Sequence, residues 1–69
     1  MKQGLTKRQS QALKFITKFI DKNGWSPSFE EIGGGLKITA PSAYDLVERL
    51  VDRGYLKKGT SARSLRVVK

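Results

Sequence analysis

Three helix-start signals lie in the first two thirds of the chain, and they constrain its fold more than any other feature. Thr6 and Ser28 are each followed three residues later by an amide or carboxyl side chain, Gln9 and Glu31 respectively. This is the spacing of a capping box, in which two side chains satisfy two otherwise unpaired backbone donors. In the third signal, Thr39 or Ala40 is positioned to cap a helix that has Pro41 in its first turn. The sequence therefore predicts three helices.

Apolar residues recur at helical spacing after the first and third signals, which indicates one buried face on each helix. The first stripe comprises Ala12, Leu13, Ile16, Phe19 and Ile20, and the third comprises Ala43, Leu46, Val47, Leu50 and Val51. Asn23-Gly24 and Gly54 supply the corresponding stops. The second segment contains Gly33, Gly34 and Gly35, and each glycine inside a helix costs about 1 kcal/mol relative to alanine. We therefore expect a short second helix that frays early.

The remaining residues predict two short strands, 55–58 and 64–68, joined by a turn rich in glycine, threonine and serine. Such a hairpin is marginal alone, so Tyr55, Leu56, Leu65 and Val67 are expected to pack on the helices. The predicted fold is mainly α with a small β-hairpin, as one domain over residues 1–69. The order of three helices and a hairpin is that of a winged helix-turn-helix.

The composition argues against an enzyme. The 69 residues contain neither histidine nor cysteine, so zinc-finger spacing, thiolate chemistry and imidazole catalysis are excluded. Glu30 and Glu31 are adjacent and diverge, and no other carboxylate pair is spaced for a shared site. We expect no catalytic residue, no metal, no cofactor and no small-molecule substrate.

The charge distribution favours a polyanionic partner. Fourteen basic and six acidic residues give a formal charge of +8. Residues 1–23 carry six basic groups and one acidic group, and residues 55–69 carry five basic groups and no acidic group. Nucleic acid and an anionic membrane surface both suit such charge, and solubility is the simpler alternative. There is no apolar run of roughly 18 to 20 residues and no secretory signal, so a cytoplasmic protein without a membrane partner is expected.

Four collinear stretches carry a family resemblance: "LTKRQSQALKFI", "GWSPSFEEI", "LVERLVDRGYL" and "SARSLRVV". Together they resemble the N-terminal DNA-binding domain of the LexA repressor family over residues 5–68. The resemblance implies a cytoplasmic, nucleoid-associated repressor of bacterial or phage origin, active in the SOS response. It also implies that a dimer binds double-stranded DNA at a palindromic operator, with one half-site per chain.

The same resemblance implies where the DNA contacts lie. The third helix would enter the major groove and read bases through the residues at its start: Ser42, Ala43, Tyr44, Asp45 and Glu48. The backbone contacts would come from helix termini and the hairpin: Lys7, Arg8, Ser28, Thr39, Lys58, Ser61 and Arg63. Acidic side chains can accept from cytosine amino groups, and helix N-termini and arginines suit phosphates, so the chemistry agrees in kind. Reversing Lys58 and Arg63 to glutamate is expected to lower affinity for every DNA sequence alike.

Two features depart from the family pattern. The segment 32–50 is one residue off the usual spacing, which leaves two registers for the third helix. The self-cleaving peptidase domain of fuller family members has no counterpart here, so no protease activity is expected.

Two binding alternatives stay open. Asp45, Glu48 and Asp52 make the third helix less basic than a groove reader usually is, which suits a winged helix that docks on a partner protein. A single-strand or RNA binder would need exposed aromatic side chains among basic ones, and only Trp25, Tyr44 and Tyr55 lie off the core stripes. Trp25 itself is expected at the edge of the core.

Overall fold

The computed structural model describes residues 4–59 and 65–68. Its elements follow one another as α1 (Lys7–Asn23), α2 (Phe29–Leu36), α3 (Ala40–Asp52), β1 (Leu56–Lys57) and β2 (Arg66–Val67). The strands pair antiparallel, with Leu56 opposite Val67 and Lys57 opposite Arg66. Three helices and one hairpin confirm the predicted winged helix-turn-helix. Across the described residues, no helix has the length and apolar character needed to cross a membrane.

Both predicted capping boxes are present. The Thr6 hydroxyl accepts from the Gln9 N–H at 3.1 Å while the Gln9 side chain accepts from the Thr6 N–H at 3.1 Å. Ser28 and Glu31 make the same reciprocal pair, at 3.1 Å and 2.9 Å. α1 ends at Gly24, whose φ of 82° is the left-handed conformation expected of a helix stop.

α2 is short, as predicted, with eight residues, but the glycine run does not fray it, contrary to the prediction from helix propensity. The helix continues through all three glycines to Leu36, and packing explains two of them. A β-carbon on Gly33 would lie 2.6 Å from the backbone oxygen of Ile38, and one on Gly35 would lie 2.2 Å from the ring of Phe15. Nothing lies within 4 Å of the corresponding point on Gly34. Gly33 therefore permits the tight turn into α3, and Gly35 lets the Phe15 ring lie against α2.

The core lies where the three helices meet the hairpin. It consists of residues from α1, α2, α3 and the hairpin: Ala12, Ile16, Ile32, Ala43, Leu46, Val47, Leu50, Leu56 and Leu65. The stripe predicted for α3 is buried as expected, with Val51 packed at its margin. Because that stripe faces inward, the residues between its members face outward.

The hairpin, called here the wing (residues 56–59 and 65–68), is shorter in regular structure than predicted. Each strand has two residues rather than the four or five expected, and Ser64 lies outside the described residues. Tyr55 lies just before the first strand: its N–H donates to the carbonyl of Leu50 at 2.9 Å and closes the end of α3, while its carbonyl accepts from the Val68 N–H at 2.9 Å. Leu56 and Leu65 are nonetheless buried, so the wing packs on the helices as expected.

The expectation for Trp25 was wrong. Its side chain is 55% exposed, whereas its neighbours Ser26 and Pro27 are buried. The Ser26 hydroxyl accepts from the Leu65 N–H at 3.2 Å, which ties the α1–α2 turn to the wing. The residues that pack against the core in this turn are therefore Ser26 and Pro27, and not Trp25.

The first described residue is also fastened to the body of the domain. The Arg53 guanidinium, at the C-terminal end of α3, donates to the Gly4 carbonyl at 3.0 Å. Gly4 therefore lies beside the end of α3.

Candidate nucleic-acid interface

The start of α3 is a rigid, outward-facing platform. Thr39 caps it, since its hydroxyl oxygen accepts from the Ser42 N–H at 3.3 Å and its hydroxyl donates to the Ser42 Oγ at 3.0 Å. Pro41 occupies the first turn, where the missing N–H costs nothing. The turn from α2 is short because Lys37 adopts the left-handed conformation at φ 60° and the Ile38 N–H donates to the Gly33 carbonyl. These contacts fix the direction of the side chains that follow.

Four of the five side chains predicted to read bases lie on this surface. Ser42, Tyr44 and Asp45 are exposed, and Glu48 is partly exposed one turn further along. Ala43 differs, because its side chain has no exposed area and belongs to the core. The role of Ala43 in base reading stays a prediction, and the burial of its methyl group against the other helices argues against it.

Tyr44 is held between two other parts of the molecule. Its ring meets the ring of Phe29, in the first turn of α2, edge to face with centroids 5.1 Å apart. The ammonium of Lys58, from the wing, lies 5.2 Å from the centroid of the Tyr44 ring. The side chain is still 47% exposed, so one part of the ring is fixed and the other faces solvent.

Glu48 and Lys58 form an ion pair between α3 and the wing. The hydrogen bond from Lys58, with a further one from Tyr44, lowers the pKa of the Glu48 carboxyl. The hydrogen bond to Glu48 likewise raises the pKa of the Lys58 ammonium. Both shifts favour the charged forms, so the pair is ionised at neutral pH. Sequence reasoning missed this contact because the two residues are ten positions apart and no local spacing rule connects them.

A second ion pair lies on the outer face of α3. The Arg49 Nε donates to the Asp45 carboxylate at 3.0 Å, one helical turn apart, and both side chains are more than half exposed. Two of the three acidic side chains of α3 are therefore paired with cations. The acidic character that favoured a protein-docking module is consequently weaker than the sequence suggested.

Arg8 is brought close to the start of α3. An open groove of about 480 Å³ is lined by Arg8 from α1 together with Pro41, Ser42, Asp45 and Leu46 from α3. Lys7, beside Arg8, is exposed. The structure thus places one predicted backbone contact next to two predicted base contacts.

The other predicted backbone contacts differ in availability. Ser28 and Thr39 both use their hydroxyl groups to cap helices, and Glu30 and Glu31 put negative charge in the first turn of α2. Lys58 is engaged by Glu48. Ser61 and Arg63 lie outside the described residues.

Comparison with known proteins identifies relatives over most of the chain. The model of a family described as "LexA DNA binding domain" matches residues 2–64. The LexA repressor of Pseudothermotoga lettingae is 38% identical over 68 residues, which is 99% of this chain and 34% of that protein. The LexA repressor of Thermosipho africanus is 39% identical over 66 residues (94% and 33%), and that of Leptospira interrogans 43% over 53 residues (77% and 26%). The chain thus spans about a third of the length of the curated relatives it matches.

Proposed function

Because the chain belongs to the LexA DNA-binding domain family, we propose that it binds double-stranded DNA sequence-specifically and represses transcription. The observation that carries the proposal is that α3 has one buried apolar face and one exposed polar face. Its apolar stripe is buried while Ser42, Tyr44 and Asp45 face solvent from its first turns. A helix presented in this way can place its N-terminal residues against base edges in the major groove.

The polar side chains at the start of α3 have distinct roles in this proposal. The Asp45 carboxylate can accept from a cytosine amino group, and the Ser42 hydroxyl can donate or accept. Arg8 and Lys7, on the α1 side of the groove, contact phosphates and set the register of the helix on the duplex. Asp45 is shared with Arg49, so binding exchanges that exposed ion pair for contacts to DNA.

One chain presents one recognition helix and reads one half-site. A dimer on a palindromic operator therefore binds much more tightly than a monomer, since it neutralises more phosphates and adds a second recognition helix. Affinity falls steeply as salt rises, because phosphate contacts release counterions.

The test is selection of bound duplexes from a random-sequence pool, followed by mobility-shift titration of the recovered sequence. We expect a recovered motif with two-fold symmetry, and the spacing of its halves reports how two chains sit on the duplex. Ser42→Ala and Asp45→Ala should relax the preference at particular base pairs by about 1–3 kcal/mol each. Arg8→Ala should instead weaken binding to every sequence. Recovery of no motif, together with no shift of random duplex at low salt, would refute the proposal.

A protein-docking module is the second candidate. The exposed carboxylates of Asp45 and Asp52 on α3 are the observation that favours it, although Asp45 is paired with Arg49. The duplex selection separates the two, since a sequence-specific DNA-binding domain enriches one motif, whereas a protein-binding module of the same +8 charge retards duplexes without enriching any motif.

A further inference from the structure

Phe29, Tyr44, Glu48 and Lys58 form one connected cluster, called here the tyrosine clamp. It joins three elements: α2 through Phe29, α3 through Tyr44 and Glu48, and the wing through Lys58. The clamp therefore fixes the position of the wing against the recognition helix on the solvent side.

The surroundings of Lys58 determine what it can do on DNA. The Lys58 ammonium is bound to the Glu48 carboxylate and lies over the Tyr44 ring, so its positive charge is already balanced before a phosphate approaches. An ammonium has three N–H donors, so a phosphate can approach Lys58 without displacing Glu48, but the adjacent carboxylate repels the phosphate and weakens the contact. The neighbouring Lys57 is exposed and stands outside the clamp, so it meets no such repulsion.

The surroundings of Tyr44 point to a complementary role. Aromatic side chains on a surface usually sample several rotamers, but this ring has Phe29 against it on one side and the Lys58 ammonium over its face. Ordering the ring before binding removes an entropy cost at the moment of binding. Nearly half of the side chain stays accessible for a partner.

From this geometry we infer that Phe29, Glu48 and Lys58 are positioning residues that hold Tyr44 as a specificity-determining group, and that Lys58 is not a phosphate contact. This inference rests on the proposed DNA-binding function. Under this inference Lys58 contributes to the preference for particular DNA sequences, and not to the affinity for every sequence alike.

The test compares Lys58→Gln with Lys57→Gln, its matched control, on two duplexes: the one recovered by selection and a scrambled duplex of the same composition. We expect Lys58→Gln to lower affinity for the recovered duplex roughly two- to fivefold, the range of an exposed cation–π contact. Its affinity for the scrambled duplex and the slope of log affinity against log salt should not change. In a Tyr44→Leu background the Lys58→Gln effect should vanish.

Two results would overturn the inference. One is an equal loss on both duplexes with the salt slope reduced by about one unit, which is the signature of a phosphate contact. The other is no loss on either duplex. A free-protein measurement separates these results from failure of the proposed function: the NMR signals of the Tyr44 ring should move in Lys58→Gln and Phe29→Leu but not in Lys57→Gln. Unmoved signals would refute the clamp whether or not the protein binds DNA.

Discussion

The start of α3 and the wing both face solvent next to the same core, yet they are positioned by different kinds of contact. At the start of α3 the contacts are local, since Thr39 caps Ser42 three residues away. In the wing they are distant, since the Leu65 N–H reaches Ser26 across 39 positions and Lys58 reaches Glu48 across ten. The start of α3 is thus fixed by residues close to it in sequence, whereas the position of the wing depends on the rest of the fold.

The largest expected effect tests whether the wing is part of the core. Leu56→Ala should destabilise the protein by about 2–5 kcal/mol, as much as Leu50→Ala in α3, because both side chains are fully buried in one cluster. Urea unfolding followed by circular dichroism measures both, with exposed Lys57→Ala as the control. If Leu56→Ala left the unfolding midpoint unchanged, the wing would be an appendage and the comparison would fail.

The next largest effect is expected from removing the hydrogen bond between Ser26 and the wing. Ser26→Ala should cost about 1–3 kcal/mol, because it leaves the Leu65 N–H without its acceptor in a buried position. Thr17→Ala is the control, since its hydroxyl donates to the Leu13 carbonyl within α1 and its loss is offset by better helix propensity. Equal unfolding free energies for the two variants would contradict the importance of the Ser26 contact.

A smaller effect is expected from removing the Thr39 cap at the start of α3. Thr39→Ala should cost about 1 kcal/mol, and Thr39→Ser should recover most of it, because serine keeps the oxygen that accepts from Ser42. Amide hydrogen exchange should show faster opening in the first turn of α3 and unchanged protection in the wing. Loss of protection in both regions would show that the two are not positioned independently.

One substitution in the glycine run should raise the stability of the protein instead of lowering it. Gly34→Ala should stabilise the protein by about 0.5–1 kcal/mol, since a methyl group there meets nothing and alanine favours the helix. Gly33→Ala, one residue away, should destabilise it because the new methyl group meets the Ile38 carbonyl oxygen. Thermal melts of the pair decide this, and a gain in both variants would show that the turn into α3 is looser than described.

The smallest effect concerns pH. The pKa of Glu48 is lowered in the folded protein by Lys58, so the stabilisation from this pair is present above the unfolded-state pKa and is lost as pH falls through the folded-state value. The pKa of Lys58 is raised, so at the alkaline end the same stabilisation is lost as pH rises through that higher value. Glu48→Gln should therefore unfold with a shallower acid dependence than the parent protein below about pH 5. Parallel acid curves would show that the pair does not form in solution.

Local signals allowed most of the helical fold to be predicted. Thr6, Ser28 and Thr39 mark helix starts through contacts within three residues, and the stripe around Val47 sets the buried face of α3. The tolerance of Gly33 and Gly35 could not be predicted, because it depends on Ile38 and on the ring of Phe15, which only the packed structure brings close.

The candidate site divides in the same way. Exposure of Ser42 and Asp45 follows from helical periodicity, and so does burial of Ala43, which the family resemblance alone had placed among the base readers. The engagement of Lys58 by Glu48 and Tyr44 depends on where the wing folds back. The position of the wing cannot be predicted from the spacing of residues in the sequence.

The hydrogen bond between Arg53 and Gly4 has a practical consequence for labelling. α3 is 13 residues long, so at about 1.5 Å per residue its two ends are about 20 Å apart. Gly4 is fastened at the end remote from Ser42. A fluorophore attached ahead of Gly4 would therefore be anchored beside Arg53 and only three residues before Lys7, so its signal would report on the α1 side of the groove.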